Sequence, residues 1–151
     1  MIITIGKKHN GKSTELVLLK EPDYVKWVLD KSDATGPLLK IKDDFLQLIE
    51  IFDNKSLTTK CHKCGKPATR LSFYKGDTIP MSWCSICDPY SHGAFEGKLS
   101  IFSKYHSALE FVEYSCGGNK SSYKHIIRYL ASIKGLPDRV GEKQAQDFFN
   151  S

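Results

Sequence analysis

The chain lacks any long apolar run. No stretch of its 151 residues approaches the ~20 that span a bilayer, which predicts a protein without a membrane-crossing helix. It also lacks a basic segment ahead of its first apolar residues and a small-residue cleavage site after them. Met1-Ile2-Ile3-Thr4-Ile5-Gly6 therefore reads as a strand and not as a secretory leader, and a cytoplasmic location is expected. With 40% hydrophobic and 26% charged residues the chain is not a disordered tail, and its length allows one domain or two very small ones.

A strong excess of one charge is missing too, since 22 Lys and Arg stand against 17 Asp and Glu, a net +5. The small surplus is unevenly placed. Residues 1–57 carry nine basic and nine acidic side chains, residues 58–98 six against three, and residues 99–151 seven against five. A basic bias after residue 57 suits a polyanionic partner, because neutralised phosphates release counterions. It suits a merely soluble basic protein equally well.

What the chain does have is a specific cysteine pattern. Cys61-His62-Lys63-Cys64 is followed after nineteen residues by Cys84-Ser85-Ile86-Cys87, and Cys116 stands alone. Two C-x-x-C pairs at this separation, without a secretory signal, point to tetrahedral Zn²⁺ and not to disulfides, because each tight turn lets two thiolates reach one ion. Gly65 follows the first pair, where such a turn needs a permissive backbone. Between the pairs, residues 68–74, 75–77 and 78–83 read as strand, turn, strand, the pattern of a zinc ribbon. Four thiolates leave no position for a water nucleophile, so the metal is expected to staple the fold. His62 and His92 are the possible substitute ligands.

Gly6-Lys7-Lys8-His9-Asn10-Gly11-Lys12-Ser13 satisfies G-x-x-x-x-G-K-[ST], follows the strand-like Ile2–Ile5, and precedes a helix starting near Thr14. A P-loop nucleotide hydrolase using Gly6–Ser13 is thus one alternative. It would need several parallel strands and a second acidic motif on a later strand, for which Ile49-Glu50-Ile51-Phe52-Asp53 is the only candidate. Whatever fold holds the turn, Lys7, Lys8 and Lys12 beside two glycines form a candidate phosphate contact, with a solvated hairpin turn as the plain reading.

The same segment, followed by Leu16-Val17-Leu18 and by Glu21-Pro22-Asp23-Tyr24-Val25-Lys26-Trp27-Val28-Leu29, resembles the small C-terminal domain of exodeoxyribonuclease X-type proteins. That family pattern is a strand, a G-K-x-x-G-K-[ST] turn, a short helix and a D-P-x-Y-x-x-W-[LIV] helix. The likeness covers about residues 3–31, with Glu21-Pro22-Asp23 in place of Asp-Pro and one extra residue between the glycines. It implies a non-catalytic accessory module of DNA-processing proteins. Independently, Pro22 suits the first turn of a helix, and Tyr24, Trp27 and Val28 fall on one helical face, read as core in preference to base stacking.

Gly36-Pro37 is expected to break the first segment, with a helix starting at Asp43-Asp44 and burying Phe45, Leu48, Ile49 and Phe52. After a polar linker and the ribbon, Ser103 can cap a helix that buries Tyr105, Ala108, Leu109 and Val112, ended by Gly117-Gly118. Asn119 or Ser121 can cap another with Tyr123, Ile126, Ile127, Leu130 and Ile133 inward. A last helix is expected near Asp138. Residues 133–145 resemble a helix-hairpin-helix DNA-binding turn, with Asp138-Arg139 where that pattern has one glycine.

Nuclease chemistry is tested by further absences. The chain has no D-x-E, and no histidine lies between Cys64 and Cys84, where a zinc-stapled HNH endonuclease places its base. Glu96-Gly97-Lys98 fits half of a metal-dependent nuclease site, with Asp77 or Asp88 as the upstream acid.

The expectation is an α+β protein of three parts packed as one unit: a strand-and-helix module over 1–57, a four-cysteine zinc ribbon over 58–98, and a helical region over 99–151. Its expected function is non-enzymatic nucleic-acid binding, with DNA first, as an accessory in replication, recombination or repair, with a larger DNA-processing protein as a further candidate partner. The metal ligands are Cys61, Cys64, Cys84 and Cys87. The nucleic-acid contacts are Lys7, Lys8, Lys12, Lys63, Lys66, Arg70, Lys75, Lys134, Arg139 and Lys143. The alternatives are the P-loop hydrolase and a protein-protein adaptor docking through the ribbon. Phe73, Tyr74 and Trp83 are candidates for stacking on unpaired bases, with core preferred for Phe73 and Trp83.

Overall fold

Helical periodicity dominates the chain outside the cysteine segment, and the computed structural model, which describes residues 1–74, 80–88 and 99–151, is correspondingly helical. The elements are α1 (Thr14–Lys20), α2 (Pro22–Leu29), α3 (Gly36–Asn54), β1 (Arg70–Tyr74), β2 (Met81–Trp83), β3 (Leu99–Phe102), α4 (Tyr105–Ser115), α5 (Lys120–Ile133) and α6 (Glu142–Asn150). This is a mixed α+β fold. No helix among the described residues is long and apolar enough to cross a membrane.

Helix starts follow the capping chemistry where a good cap exists. The Ser13 side chain accepts from the Leu16 amide, and Asn119 accepts from the Ser121 and Ser122 amides. Pro22 occupies the first turn of α2 as expected. Three boundaries differ from expectation. Gly36-Pro37 opens α3 instead of breaking the chain, because proline fits a first helical turn, and this places Asp43 and Asp44 inside the helix. Ser103 does not cap α4; Asp53 from the end of α3 does, accepting from the Tyr105 amide at 2.8 Å. The last helix starts at Glu142 and not near Asp138, with the Gln144 side chain accepting from the Gly141 amide at 3.0 Å.

The expected N-terminal strand is absent as well. Ile2 makes a single antiparallel bridge to Ser13, and Ile3 exchanges backbone bonds with Gly11 and Lys12, so the first fourteen residues form a closed turn with no sheet partner among the described residues. The sheet lies elsewhere, with β1 central between β2 and β3 and both pairings antiparallel. β3 was not anticipated. It falls just past residue 98 and pairs with the ribbon segment, so the sheet crosses the expected boundary.

One hydrophobic core joins the two helical halves. Ile3, Val17, Leu18, Phe45 and Phe52 share it with Tyr105, Val112, Ile127, Leu130 and Phe148, while Leu71 and Phe73 bring the sheet onto it. Every apolar position expected inward on α3, α4 and α5 is buried. On α2 the outcome is split: Val28 is buried, but Trp27 is 50% exposed, stacked on Tyr24 at 5.9 Å with the Lys31 ammonium 4.8 Å over its ring. Phe73 and Trp83 are both buried.

Lys134 is the unusual member of this interior. Only 6% exposed, its ammonium donates to the carbonyls of Phe52 (2.9 Å) and Lys55 (3.2 Å) and sits 4.8 Å over the Phe52 ring. Burial lowers its pKa to about 8, against the opposing pull of Asp53. Between about pH 8 and its ordinary value near 10.5 the unfolded chain binds the extra proton, so folding stability contributed here rises with pH across that window. Chemical denaturation of wild type and Lys134→Met should therefore diverge in the wild type's favour as pH rises from about 8 to 10, by on the order of 1 to 3 kcal/mol. A pH-independent difference would show that Lys134 keeps its ordinary ionisation in the fold.

Candidate metal centre and basic surface

Each half of the cysteine cluster is built by a short turn. Lys60 bridges Pro67, Cys61 donates to the Lys66 carbonyl at 2.7 Å, and Gly65 closes the knuckle at φ +72°, where a side chain would be strained. In the second turn the Cys87 amide donates to Cys84 Sγ at 3.4 Å and the Asp88 amide to the Cys84 carbonyl at 3.1 Å. The His62 amide donates to the Ser82 carbonyl at 2.9 Å, which fastens the first turn to β2.

The result is that the sulfurs of Cys61, Cys64, Cys84 and Cys87 all lie within 4.8 Å of one another, a group able to hold a metal ion. Cys64 and Cys84 Sγ are 3.8 Å apart, far beyond the ~2.05 Å of a disulfide. Burial raises the Cys61 thiol, and the backbone amides of Cys64, Cys84 and Lys63 outweigh it, bringing it down to about 6. Contacts with the Cys84 and Cys64 thiols push Cys87 up. A cation bound by these sulfurs would displace their protons. His62 is exposed, packs edge-on to Trp83 at 5.6 Å, and is not part of the group. Cys116, at the C-cap of α4, lies outside it.

The expected nucleic-acid contacts divide by environment. Lys7, Lys8, Lys63, Lys66, Arg139 and Lys143 are exposed, and Lys12 is half-buried. Lys143 pairs with Asp147 at 2.6 Å. Arg70 reaches the buried carboxylate of Asp88 at 3.3 Å, which ties β1 to the second cysteine turn. Lys134 is withdrawn from the surface set, because its ammonium is spent inside on helix-terminal carbonyls. Lys75, the E-x-K residues Glu96 and Lys98 with Asp77, and His92 lie outside the described residues. So does the side chain of Tyr74.

The Gly6–Ser13 turn has an occupant that its own sequence does not announce. Ser13 donates its amide at 3.0 Å, and its hydroxyl as well, to the carboxylate of Glu142. A P-loop would direct these two groups to a phosphate and a metal ion. Here an acidic side chain 129 positions away takes both. The strand of the expected second acidic motif is also missing, since Ile49–Asp53 lies in α3 and Asp53 caps α4. His9 is buried against Tyr24, with ring centroids 4.4 Å apart, and anchors the turn to α2. No local signal marks Glu142 or Asp53 for these roles; each acts on an element distant in sequence.

Comparisons with protein-family models, curated proteins and solved structures find no match to this chain.

Two predictions follow from the geometry of these sites. If a metal ion occupies the cluster, Cys84→Ser should lose it and melt on the order of 10 °C or more below wild type, with faster amide exchange over residues 60–74; unchanged melting and exchange would remove the metal from the fold. MgATP and MgGTP should leave the melting temperature unchanged, while Glu142→Ala should cost about 1 to 2 kcal/mol of stability by taking the acceptor from the Ser13 amide and hydroxyl. A Mg²⁺-dependent rise with either nucleotide would return the turn to the P-loop class.

Proposed function

We propose that the protein is a zinc-stapled, non-catalytic nucleic-acid-binding accessory of DNA processing. The metal part rests on ligand chemistry. Four thiolates about 2.3 Å from a tetrahedral Zn²⁺ stand roughly 3.8 Å apart, the separation of Cys64 and Cys84. The two cysteine turns at the ends of an antiparallel pair agree with a zinc ribbon, and an all-thiolate shell favours zinc or iron over hard cations. Elemental analysis of purified protein should return one zinc per chain; a colourless protein with no zinc, or a red one with iron, would displace this assignment.

The observation that carries the nucleic-acid part is the convergence of two sequence-distant turns. The Gly6–Ser13 turn, with Lys7, Lys8 and Lys12, is held to the start of α6 through Ser13 and Glu142. Lys20 then donates to the Val140 carbonyl at 3.2 Å, next to Arg139. Candidate phosphate contacts near residues 7–12 and 139–143 are thereby drawn toward one side of the molecule, in line with the resemblance to an accessory module of DNA-processing proteins. Lys63 and Lys66 add exposed charge on the first cysteine turn.

Binding of this kind is electrostatic and follows the phosphate backbone. Fluorescence anisotropy with single-stranded, duplex and branched DNA should show affinity that falls steeply with salt and varies little with base sequence. No salt-dependent binding to any DNA or RNA at micromolar protein would instead favour the adaptor. One feature supports that second reading: Ile86, between two ligand cysteines, is 86% exposed and offers an apolar tip to a protein partner.

A further inference from the structure

The flank of α5 beside α1 and α2 carries a row of cations. Lys120, Lys124 and Arg128 recur every four residues, so they stand on one side of the helix about 6 Å apart along its axis, a spacing on the scale of consecutive phosphates in a nucleic-acid strand. The row borders the buried face of the helix, with Tyr123, Ile127 and Ala131 beside it, and Lys124 and Arg128 are half-buried.

Two neighbouring elements turn this row into a site. At its far end an open cavity of about 230 Å³ is lined by Leu19, Lys20, Glu21, Lys124 and Arg128. Lys20 is oriented by the Val140 carbonyl at 3.2 Å and Arg128 by the Pro137 carbonyl at 3.4 Å. Neutral carbonyls hold these cations in place without cancelling their charge. Glu21 is the single acidic lining residue, 3.3 Å from Lys124. At the near end Lys120 lies 3.8 Å from Asp23, and the Lys8 ammonium from the Gly6–Ser13 turn comes directly against that of Lys120. Contact with Lys120 lowers the Lys8 pKa, and contact with Lys8, with Asp23 behind it, raises that of Lys120. Along the whole row five cations face two carboxylates. Such a surplus over a concave surface attracts an anion.

We propose that this face of α5 is the track for a nucleic-acid phosphate backbone, with one phosphate in the Lys20, Lys124 and Arg128 cavity and the next at Lys8 and Lys120. It rests on the nucleic-acid function proposed above and assigns the main electrostatic contact to α5, outside the cysteine element. Lys20, Lys120, Lys124 and Arg128 join the contact set. The carboxylates of Glu21 and Asp23 keep the row from being uniformly positive and fix the reach of the two lysines they pair with.

The test is anisotropy with full-length protein and a fluorescein-labelled, mixed-sequence DNA of about 20 nucleotides, single-stranded and duplex, across a salt series. Lys124→Gln/Arg128→Gln should weaken binding tenfold or more near 0.1 M salt. It should also reduce the slope of log affinity against log salt by about two, equally for different sequences. Should that variant lose its thermal transition, the exposed pair Lys8→Gln/Lys120→Gln carries the same expectation. Wild-type affinity and slope retained in the α5 variants, with flattening only in Lys63→Gln/Lys66→Gln, would place the DNA on the cysteine turn and overturn the track while leaving the nucleic-acid function intact. Failure of wild type to bind would remove both. Thermal stabilisation by inorganic phosphate in a protein that ignores DNA would assign the cavity to a free phosphoryl ligand, which also overturns the track.

Discussion

An α-helix that ends inside a protein leaves its last carbonyls without helical partners, and they must be paired where water does not reach. α3 ends in this way, and its last turn is where the molecule is tied together. The Lys134 ammonium from the end of α5 takes the Phe52 and Lys55 carbonyls, and Asp53 in the same turn caps α4 through the Tyr105 amide. The Tyr105 hydroxyl, fully buried, donates to the Leu18 carbonyl of α1 at 2.7 Å. Four helices thus depend on one helix terminus. A lysine serves there because it brings three donors on a flexible stem, and the cost of burying its charge appears as its lowered pKa.

The same knot sets where the cysteine element stands. Immediately after α3, Thr58 donates both its amide (2.6 Å) and its hydroxyl (2.7 Å) to the Ile133 carbonyl at the end of α5. The chain therefore enters the cysteine turns from a fixed point. Phe73 on β1 packs against Phe111 at 5.3 Å and Tyr129 at 6.3 Å, which seats the sheet on α4 and α5. Beyond this contact the described residues of the cysteine element add only Ala68, Leu71 and Trp83 as buried apolar side chains besides Cys61. A shared metal ion is a physical remedy for so small an element, because ligand binding energy substitutes for missing core.

What could be read from the sequence was local. The apolar positions of α3, α4 and α5 follow a 3.6-residue period and are buried as that period requires, and the four cysteines announce their cluster by spacing alone. Errors came where a distant residue replaced a local signal. Ser103 is a good cap by composition, yet Asp53 supplies the bond; Asp138 offers a helix start, yet the chain waits until Glu142. Lys134 looked like a surface cation because charge is ordinarily solvated, and nothing nearby in sequence names the carbonyls that bury it. β3 was missed because four residues carry too little pattern to separate a strand from a loop.

The Gly6–Ser13 turn shows the limit of a motif most clearly. Its residues meet the P-loop pattern, but a pattern specifies only what a turn is able to bind, and the rest of the fold decides what reaches it. Glu142 reaches Ser13 first and holds it within the molecule, so the turn's amide and hydroxyl become a fastening between α1 and α6. Lys8 stays exposed outside that fastening, beside Lys120. An internal carboxylate satisfies the groups that the motif would offer to one phosphate, while Lys7 and Lys8 of the same turn stay exposed.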